Sequence, residues 1–212
     1  MHTRAFLYGI ICSMVKNLIF DMGNVLINYM PEHFMDREGV NDKEDRDILL
    51  RELFHSKEWV MADAGEITAE DIYERCSARL PERLHAVAHK LALHWFEPLE
   101  PVPGMENFVR ENKKLGMGIY LLSNAPDTAH IYVDKVPAME CFDGRVISSD
   151  VKMEKPHVDI FNYICKEYGL NPKECLFIDD IEENVEGARK AGMQGFCFKG
   201  NVDELWMFVR GQ

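Results

Sequence analysis

The chain has 212 residues, of which 36 are acidic and 24 are basic, so its formal net charge is −12 at pH 7. This charge repels a phosphate backbone and no clustered basic face offsets it, so we do not expect nucleic acid as a partner. The length accommodates one domain with an insertion or two small domains, and the 47% hydrophobic content is typical of a globular protein.

The N-terminal segment mimics a short signal sequence, but we predict that residues 1–13 are an extension outside the fold. Arg4 precedes an apolar run that is too short to span a bilayer, and no A-x-A cleavage site follows it. We therefore interpret Met14 as the natural initiator. The six cysteines form neither a C-x-x-C pair nor a zinc-like spacing, which indicates reduced thiols, a cytoplasmic location and no membrane association.

The first predicted strand runs from Val15 to Phe20 and is followed by an acid. Its residues are mostly apolar, as in a strand that is buried on both faces of a parallel sheet. Asp21 follows directly, and Gly23 permits a turn. The carboxyl ends of strands in an open parallel sheet border the ligand crevice, so this position aims Asp21 at that crevice. Taken alone, such an acid is more often a turn former or a helix cap.

From residue 31 to residue 100 the pattern changes to apolar residues at helical spacing, without strand signals. We predict about four helices in this segment, one beginning after Thr68 and another at Pro81. The segment is then an all-helical cap inserted between the two parts of a core domain, residues 14–30 and 101–212. A proline-rich stretch near residue 100 returns the chain to the core.

After the insertion, predicted strands and helices alternate along the chain. The strands lie at 117–122, 145–148, 175–178 and 195–198, and the helices lie at 105–115, from 127 onward, and at 156–168, 182–191 and 202–209. Repeated βα units with short connections predict an α/β fold, namely a Rossmann-like parallel sheet with helices on both faces.

Polar residues follow four of the predicted strands. They are, in chain order, Asp21, then Ser123-Asn124, then Glu154-Lys155-Pro156, and finally Asp179-Asp180. Because the strands are predicted to be parallel, all four sets gather at one edge of the sheet. Carboxylates so close to one another repel unless a cation intervenes, and Mg²⁺ prefers oxygen ligands and also binds phosphate. In this arrangement Ser123 and Asn124 donate hydrogen bonds to phosphoryl oxygens, and Lys155 neutralises them.

These motifs, in this order and with a helical insertion after the first strand, resemble the haloacid dehalogenase superfamily in its version with a C1-type cap. The likeness covers residues 14 to about 198. It implies that Asp21 is the nucleophile, forms an aspartyl-phosphate and is also a Mg²⁺ ligand. It further implies that Ser123 and Lys155 hold the phosphoryl group and that Asn124 assists them.

The resemblance also implies a metal site, and here the chain departs from the family's pattern. Asp180 is expected to ligate Mg²⁺ with Asp179 beside it, and the backbone carbonyl of Gly23 is expected to be a further ligand. Most phosphatases of the superfamily carry a second Asp at the place of Gly23, where its side chain acts as general acid and base. Such help is worth typically ~10²–10⁴-fold in rate. A group from the cap, with His33 the nearest in sequence, is a candidate replacement.

The Asp-x-Gly-Asn-Val form around Asp21 resembles a subset of small sugar-phosphate phosphatases, including an α-glucose-1-phosphate phosphatase. We therefore expect a Mg²⁺-dependent phosphatase that acts on a small phosphorylated metabolite such as a sugar phosphate. Two alternatives stay open: a 2-haloacid dehalogenase, and a catalytically weak domain that binds a phosphorylated ligand or a partner protein. The sequence does not indicate an oligomeric state. Five aromatic residues of the insertion are candidates for lining the pocket: Phe34, Trp59, Tyr73, Trp95 and Phe96.

Overall fold

A five-stranded parallel sheet forms the centre of the molecule, as predicted. The computed structural model describes residues 15–211, so the predicted extension at 1–13 lies outside the described residues. The strands lie side by side in the order β3-β2-β1-β4-β5, and every neighbouring pair is parallel. Their bounds are β1 Asn17–Phe20, β2 Gly118–Ser123, β3 Gly144–Ile147, β4 Cys175–Asp179 and β5 Gln194–Cys197.

Helices cover the sheet and build the insertion. The α-helices of the described residues are α1 Pro31–Arg37, α2 Lys43–Leu49, α3 Lys57–Asp63, α4 Ala69–Ser77, α5 His85–His94, α6 Met105–Lys114, α7 Ala129–Tyr132, α8 Ser148–Val151, α9 Val158–Tyr168, α10 Glu182–Lys190 and α11 Val202–Arg210. None of the helices in this part of the chain combines the length and the apolar character that crossing a bilayer requires.

Alternation along the strands gives the sheet two buried faces. Leu18 and Phe20 of β1 belong to one hydrophobic cluster, which includes Phe108 of α6. Ile19, between them, points to the opposite face and belongs to the second cluster, which includes Phe161 of α9. Successive side chains of a strand point to opposite faces, so a continuously apolar strand requires helices on both sides.

The insertion between β1 and α6 is entirely helical within the described residues, but it contains five α-helices rather than about four. The additional boundary lies at Ser56, whose hydroxyl accepts a hydrogen bond from the backbone N–H of Trp59 and begins α3. Immediately before it, α2 continues into a π-helical turn over Leu50–Phe54. Helical periodicity runs through this region without a break, so the hydrophobic pattern alone did not reveal that a new helix begins at Ser56.

The two connections between the insertion and the core lie side by side. Ile27 forms an isolated antiparallel bridge with Pro101, and the Val102 N–H donates to the carbonyl of Leu26. The predicted domain boundaries at 31 and 100 therefore fall close to a paired crossing of the chain. The division into two domains stays a prediction.

Candidate active site

Register places the first and fourth strand ends next to each other. Phe20 pairs with Ile178, and the Asp21 N–H donates to the Ile178 carbonyl at 2.9 Å. The residues that follow the pair, Asp21 and Asp179, therefore leave neighbouring strands at the same level. This is the convergence that the parallel arrangement predicted.

Lys155 joins these two acids. Its Nζ lies 2.7 Å from Asp21 Oδ1 and 2.6 Å from Asp179 Oδ2, and all three side chains are buried. The ammonium also lies 5.3 Å from the centroid of the Phe177 ring. Burial by itself lowers the pKa of Lys155, but the two carboxylates outweigh it and hold that pKa above its ordinary value. Lys155 is therefore a fixed positive charge beside Asp21.

Asp179 is held by donors on both carboxylate oxygens. The Ile181 N–H donates to Oδ1 at 2.8 Å, and Asn184 Nδ2 lies 3.1 Å from each oxygen. Together with the bond from Lys155, these donors occupy most of the hydrogen-bonding positions of the Asp179 carboxylate. Asp179 therefore acts, in its observed contacts, to orient Lys155. Asp180 receives one side-chain donor among the described residues, Asn24 Nδ2 at 3.1 Å, and is thus the more open of the predicted metal ligands.

Ser123 and Asn124 lie at the end of β2 and line the same cavity as Asp21. The Ser123 hydroxyl is buried, and the bond it donates to the Asn124 carbonyl is long at 3.5 Å, so it stays available to a ligand. The Asn124 side chain also bonds within the chain: its Nδ2 donates to the Lys155 carbonyl and its Oδ1 accepts the Lys155 N–H. Both ends of this amide are bonded within the chain, so it positions Lys155, and its Nδ2 keeps one further N–H for a ligand.

The carboxylates fit a divalent cation. Asp21, Asp179 and Asp180 each offer an oxygen within 4.8 Å of the others. One ammonium cannot balance three such charges: burial, opposed by Lys155 and reinforced by Asp179, raises the pKa of Asp21 to about 7. Burial first, and then Asp179, also raise the pKa of Asp180. Uncompensated negative charge on oxygen ligands is the chemistry that Mg²⁺ satisfies.

Comparison with known proteins agrees with this geometry. The family model of haloacid dehalogenase-like hydrolases matches residues 15–192. The chain belongs to the haloacid dehalogenase-like hydrolases. It is 29% identical over 188 residues to the sesquiterpene phosphatase astK of Aspergillus oryzae, covering 87% of this chain and 90% of that protein. It is 22% identical over 218 residues to the human N-acylneuraminate-9-phosphatase, covering 86% and 81%.

Solved structures of haloacid dehalogenase-like enzymes share the fold. The enzyme bt-2542 of Bacteroides thetaiotaomicron, in complex with magnesium and inorganic phosphate, matches with a TM-score of 0.66 and 25% identity over 91% of this chain and 99% of that chain. The L-2-haloacid dehalogenase of Xanthobacter autotrophicus matches with a TM-score of 0.62 and 19% identity, covering 85% and 76%. At 19% identity, the similarity to the L-2-haloacid dehalogenase concerns the fold alone.

Because residue 23 is glycine, this hydrolase lacks the second acid that most phosphatases of the superfamily carry there. The surroundings would nevertheless accommodate a side chain at this position. A Cβ built there would lie 3.5 Å from Tyr29 Cβ and 4.0 Å from Asp21 Oδ2, which are ordinary contacts. Gly23 lines the cavity beside Asp21, where the resemblance places a metal-binding carbonyl.

A cavity of about 410 Å³ separates the strand ends of the hydrolase from its cap. Two of the five aromatic candidates, Trp59 and Trp95, line it. The others do not: Phe34 packs on Trp95, Tyr73 packs on His89, and Phe96 stacks on Tyr132. His33 is exposed and is also outside the lining. Among the lining residues that sequence reasoning missed are Tyr29, Phe54, His55, Asp63 and Tyr132.

Proposed function

We propose that this protein is a Mg²⁺-dependent phosphatase that hydrolyses a small phosphomonoester through an aspartyl-phosphate on Asp21. The observation that carries the proposal is the buried ammonium of Lys155, 2.7 Å from Asp21 Oδ1 in the lining of the cavity between the strand ends and the cap. Dehalogenation requires no such cation site, whereas the acids at this sheet edge fit one. The phosphatases among the relatives, and the magnesium and phosphate in the Bacteroides enzyme, support the same reading.

In this mechanism an Asp21 oxygen attacks phosphorus, the bond from phosphorus to the leaving oxygen breaks, and an aspartyl-phosphate forms. Water then attacks the phosphorus, which releases inorganic phosphate and regenerates the carboxylate. Lys155 and Ser123 hold the phosphoryl oxygens and stabilise their developing charge. Asp21, Asp180 and the Gly23 carbonyl would hold Mg²⁺, which supplies further charge stabilisation to the phosphoryl group when bound.

The substrate class has two candidates. The resemblance of the Asp21 motif favours a sugar phosphate. The cavity favours an apolar phosphomonoester, because its exposed lining is predominantly apolar and carries the rings of Tyr29, Phe54, Trp59, Trp95 and Tyr132. One relative is named a sesquiterpene phosphatase, which agrees with the second class.

The reaction type is tested by hydrolysis of p-nitrophenyl phosphate with Mg²⁺ and with EDTA. We expect turnover only with Mg²⁺, none in Asp21→Asn, and unchanged turnover in Asp203→Asn, an exposed aspartate on α11. Mass spectrometry of the acid-quenched wild type should show one phosphoryl group on the peptide that contains Asp21. Chloride release from a 2-chloro acid, with no phosphatase activity, would replace the proposal with the dehalogenase alternative.

The substrate class is tested by comparing kcat/KM for glucose 1-phosphate and for an isoprenyl monophosphate. If the apolar lining selects the substrate, Trp59→Ala and Trp95→Ala raise KM for the isoprenyl ester much more than for the sugar. Trp206→Ala is the matched control, because Trp206 packs on Phe108 of α6 and not in the cavity. A higher kcat/KM for glucose 1-phosphate than for the isoprenyl ester would favour the sugar phosphate.

A further inference from the structure

Phosphoryl transfer from an ordinary alcohol needs a proton for the leaving oxygen, and Gly23 has no side chain to supply it. The titratable side chains that line the cavity are Asp21, Tyr29, His55, Asp63, Tyr132, Lys155 and Asp180. Asp21, Lys155 and Asp180 are already engaged in the phosphoryl and metal site. Four titratable side chains of the lining therefore remain as candidate proton donors.

Three of these four are poorly suited. Burial raises the pKa of Tyr29 and of Tyr132 above the ordinary value for a phenol, so both hold their protons tightly. His55 follows the π-helical turn of the cap and is exposed at the edge of the cavity. No hydrogen bond within the described residues holds its imidazole in one orientation.

Asp63 differs from them because it has a buried carboxyl oxygen without a protein partner. Its Oδ1 is shielded from solvent and forms no hydrogen bond among the described residues. A buried carboxyl oxygen without a partner costs free energy, so such a group calls for a ligand or a function. Burial, and then the charges of Glu154 and Asp21, raise the pKa of Asp63 to about 7, although Lys155 opposes them. A donor that is half protonated near neutral pH matches the needs of acid and base catalysis.

The position of Asp63 is fixed relative to the core. Asp63 is the last residue of α3, and its backbone carbonyl accepts a hydrogen bond from the Ser148 hydroxyl at the start of α8. Two residues later, Gly65 has φ +70° and lies so close to the Ser149 carbonyl that a Cβ would overlap it. The cap therefore contacts the core at this turn, and Asp63 lines the same cavity as Asp21, Ser123 and Asp180 at the strand ends.

We propose that Asp63 takes the place of the missing acid at Gly23. This assignment rests on the proposed phosphatase activity. When Asp21 attacks phosphorus, the proton of the Asp63 carboxyl passes to the leaving oxygen as its bond to phosphorus breaks, and the alcohol departs. The Asp63 carboxylate then accepts a proton from the water that attacks the aspartyl-phosphate, so inorganic phosphate forms and Asp63 is again protonated.

The test compares two leaving groups in Asp63→Asn. An alkyl phosphate needs protonation of its leaving oxygen, whereas p-nitrophenolate leaves without it. We expect kcat/KM, which reports the steps up to departure of the leaving group, to fall by ~10²–10⁴-fold for the alkyl ester and to change little for p-nitrophenyl phosphate. The value of kcat, which includes the attack of water, should fall for both esters. Glu66→Gln, which alters an exposed acid in the same turn, is the matched control and should leave both rates unchanged. In Asp63→Asn, a second substitution Gly23→Asp should restore part of the alkyl ester rate.

The outcomes separate the two proposals. Equal losses of kcat/KM for both esters in Asp63→Asn, with an unchanged melting temperature, would mean that Asp63 does not protonate the leaving oxygen. Retention of the alkyl ester rate would overturn the assignment as well. If Asp21→Asn kept full phosphatase activity, the proposed function itself would fail, whatever the behaviour of Asp63.

Discussion

Two lysine–carboxylate pairs of equal length allow a direct test of how burial governs this site. Lys155 Nζ lies 2.7 Å from Asp21 with 2% of the lysine side chain exposed, whereas Lys16 Nζ lies 2.7 Å from Glu174 with 67% exposed. Removing one partner of a buried pair strands a charge and costs about 3–5 kcal/mol. An exposed pair contributes about 0.2–1 kcal/mol. We therefore expect Lys155→Met to lose roughly 2–5 kcal/mol more stability than Lys16→Met, from the same two estimates.

The loss in Lys155→Met should depend on pH, and its sign follows from the carboxylates. Without the ammonium, Asp21 and Asp179 face each other in a buried site, so the pKa of Asp21 rises further above its present value of about 7. A carboxyl with a raised folded-state pKa favours folding below its unfolded pKa, and this contribution is lost as pH rises through the folded value. The loss relative to wild type should therefore be smaller at pH 5, where Asp21 is protonated in both folded proteins, and should grow as pH rises through 7 toward the higher folded pKa of the variant.

The measurement is urea denaturation of wild type, Lys155→Met and Lys16→Met in EDTA at several pH values between 5 and 8.5. EDTA is needed because a bound cation would replace part of the missing charge. Equal losses for the two variants, or a Lys155→Met loss that does not change with pH, would refute the reasoning that burial sets the strength of this contact.

Three further changes have definite expected results. Gly65→Ala should destabilise the protein more than Gly39→Ala in a thermal melt, because both glycines have positive φ but only Gly65 meets the Ser149 backbone. Arg79→Met leaves the buried Glu58 carboxylate without its guanidinium, which lies 2.8 Å away. Because 38% of the Arg79 side chain is exposed, the variant should lose less than the ~3–5 kcal/mol of a fully buried pair, and Arg79→Lys should recover part of the loss. Mg²⁺ at 100 times its dissociation constant should raise the unfolding free energy of the wild type by about 2.7 kcal/mol in urea denaturation. The same titration with Ca²⁺ compares the affinities of the site for the two ions.

The edge of the sheet that carries the candidate site was predictable from the chain alone. Continuous apolar strands fixed a sheet with two covered faces, and parallel strands necessarily bring Asp21, Ser123 and Asp179 to one edge. These inferences depend only on the period of a strand and on its direction. For the same reason, the α/β fold and the helical nature of the insertion followed from local patterns.

Packing across long sequence separations decided the rest. Nothing in the local pattern indicates that the side-chain amide of Asn124 forms hydrogen bonds with the Lys155 backbone, 31 residues away. Nor does it indicate that Asp63 of a cap helix enters the cavity of Asp21 while Tyr73 does not. The hydrophobic period of a helix indicates which of its faces is buried, but it does not indicate which other element packs against that face. The sequence therefore determined the sheet edge and its charges, whereas only the tertiary contact of cap and core selected the side chains that close over it.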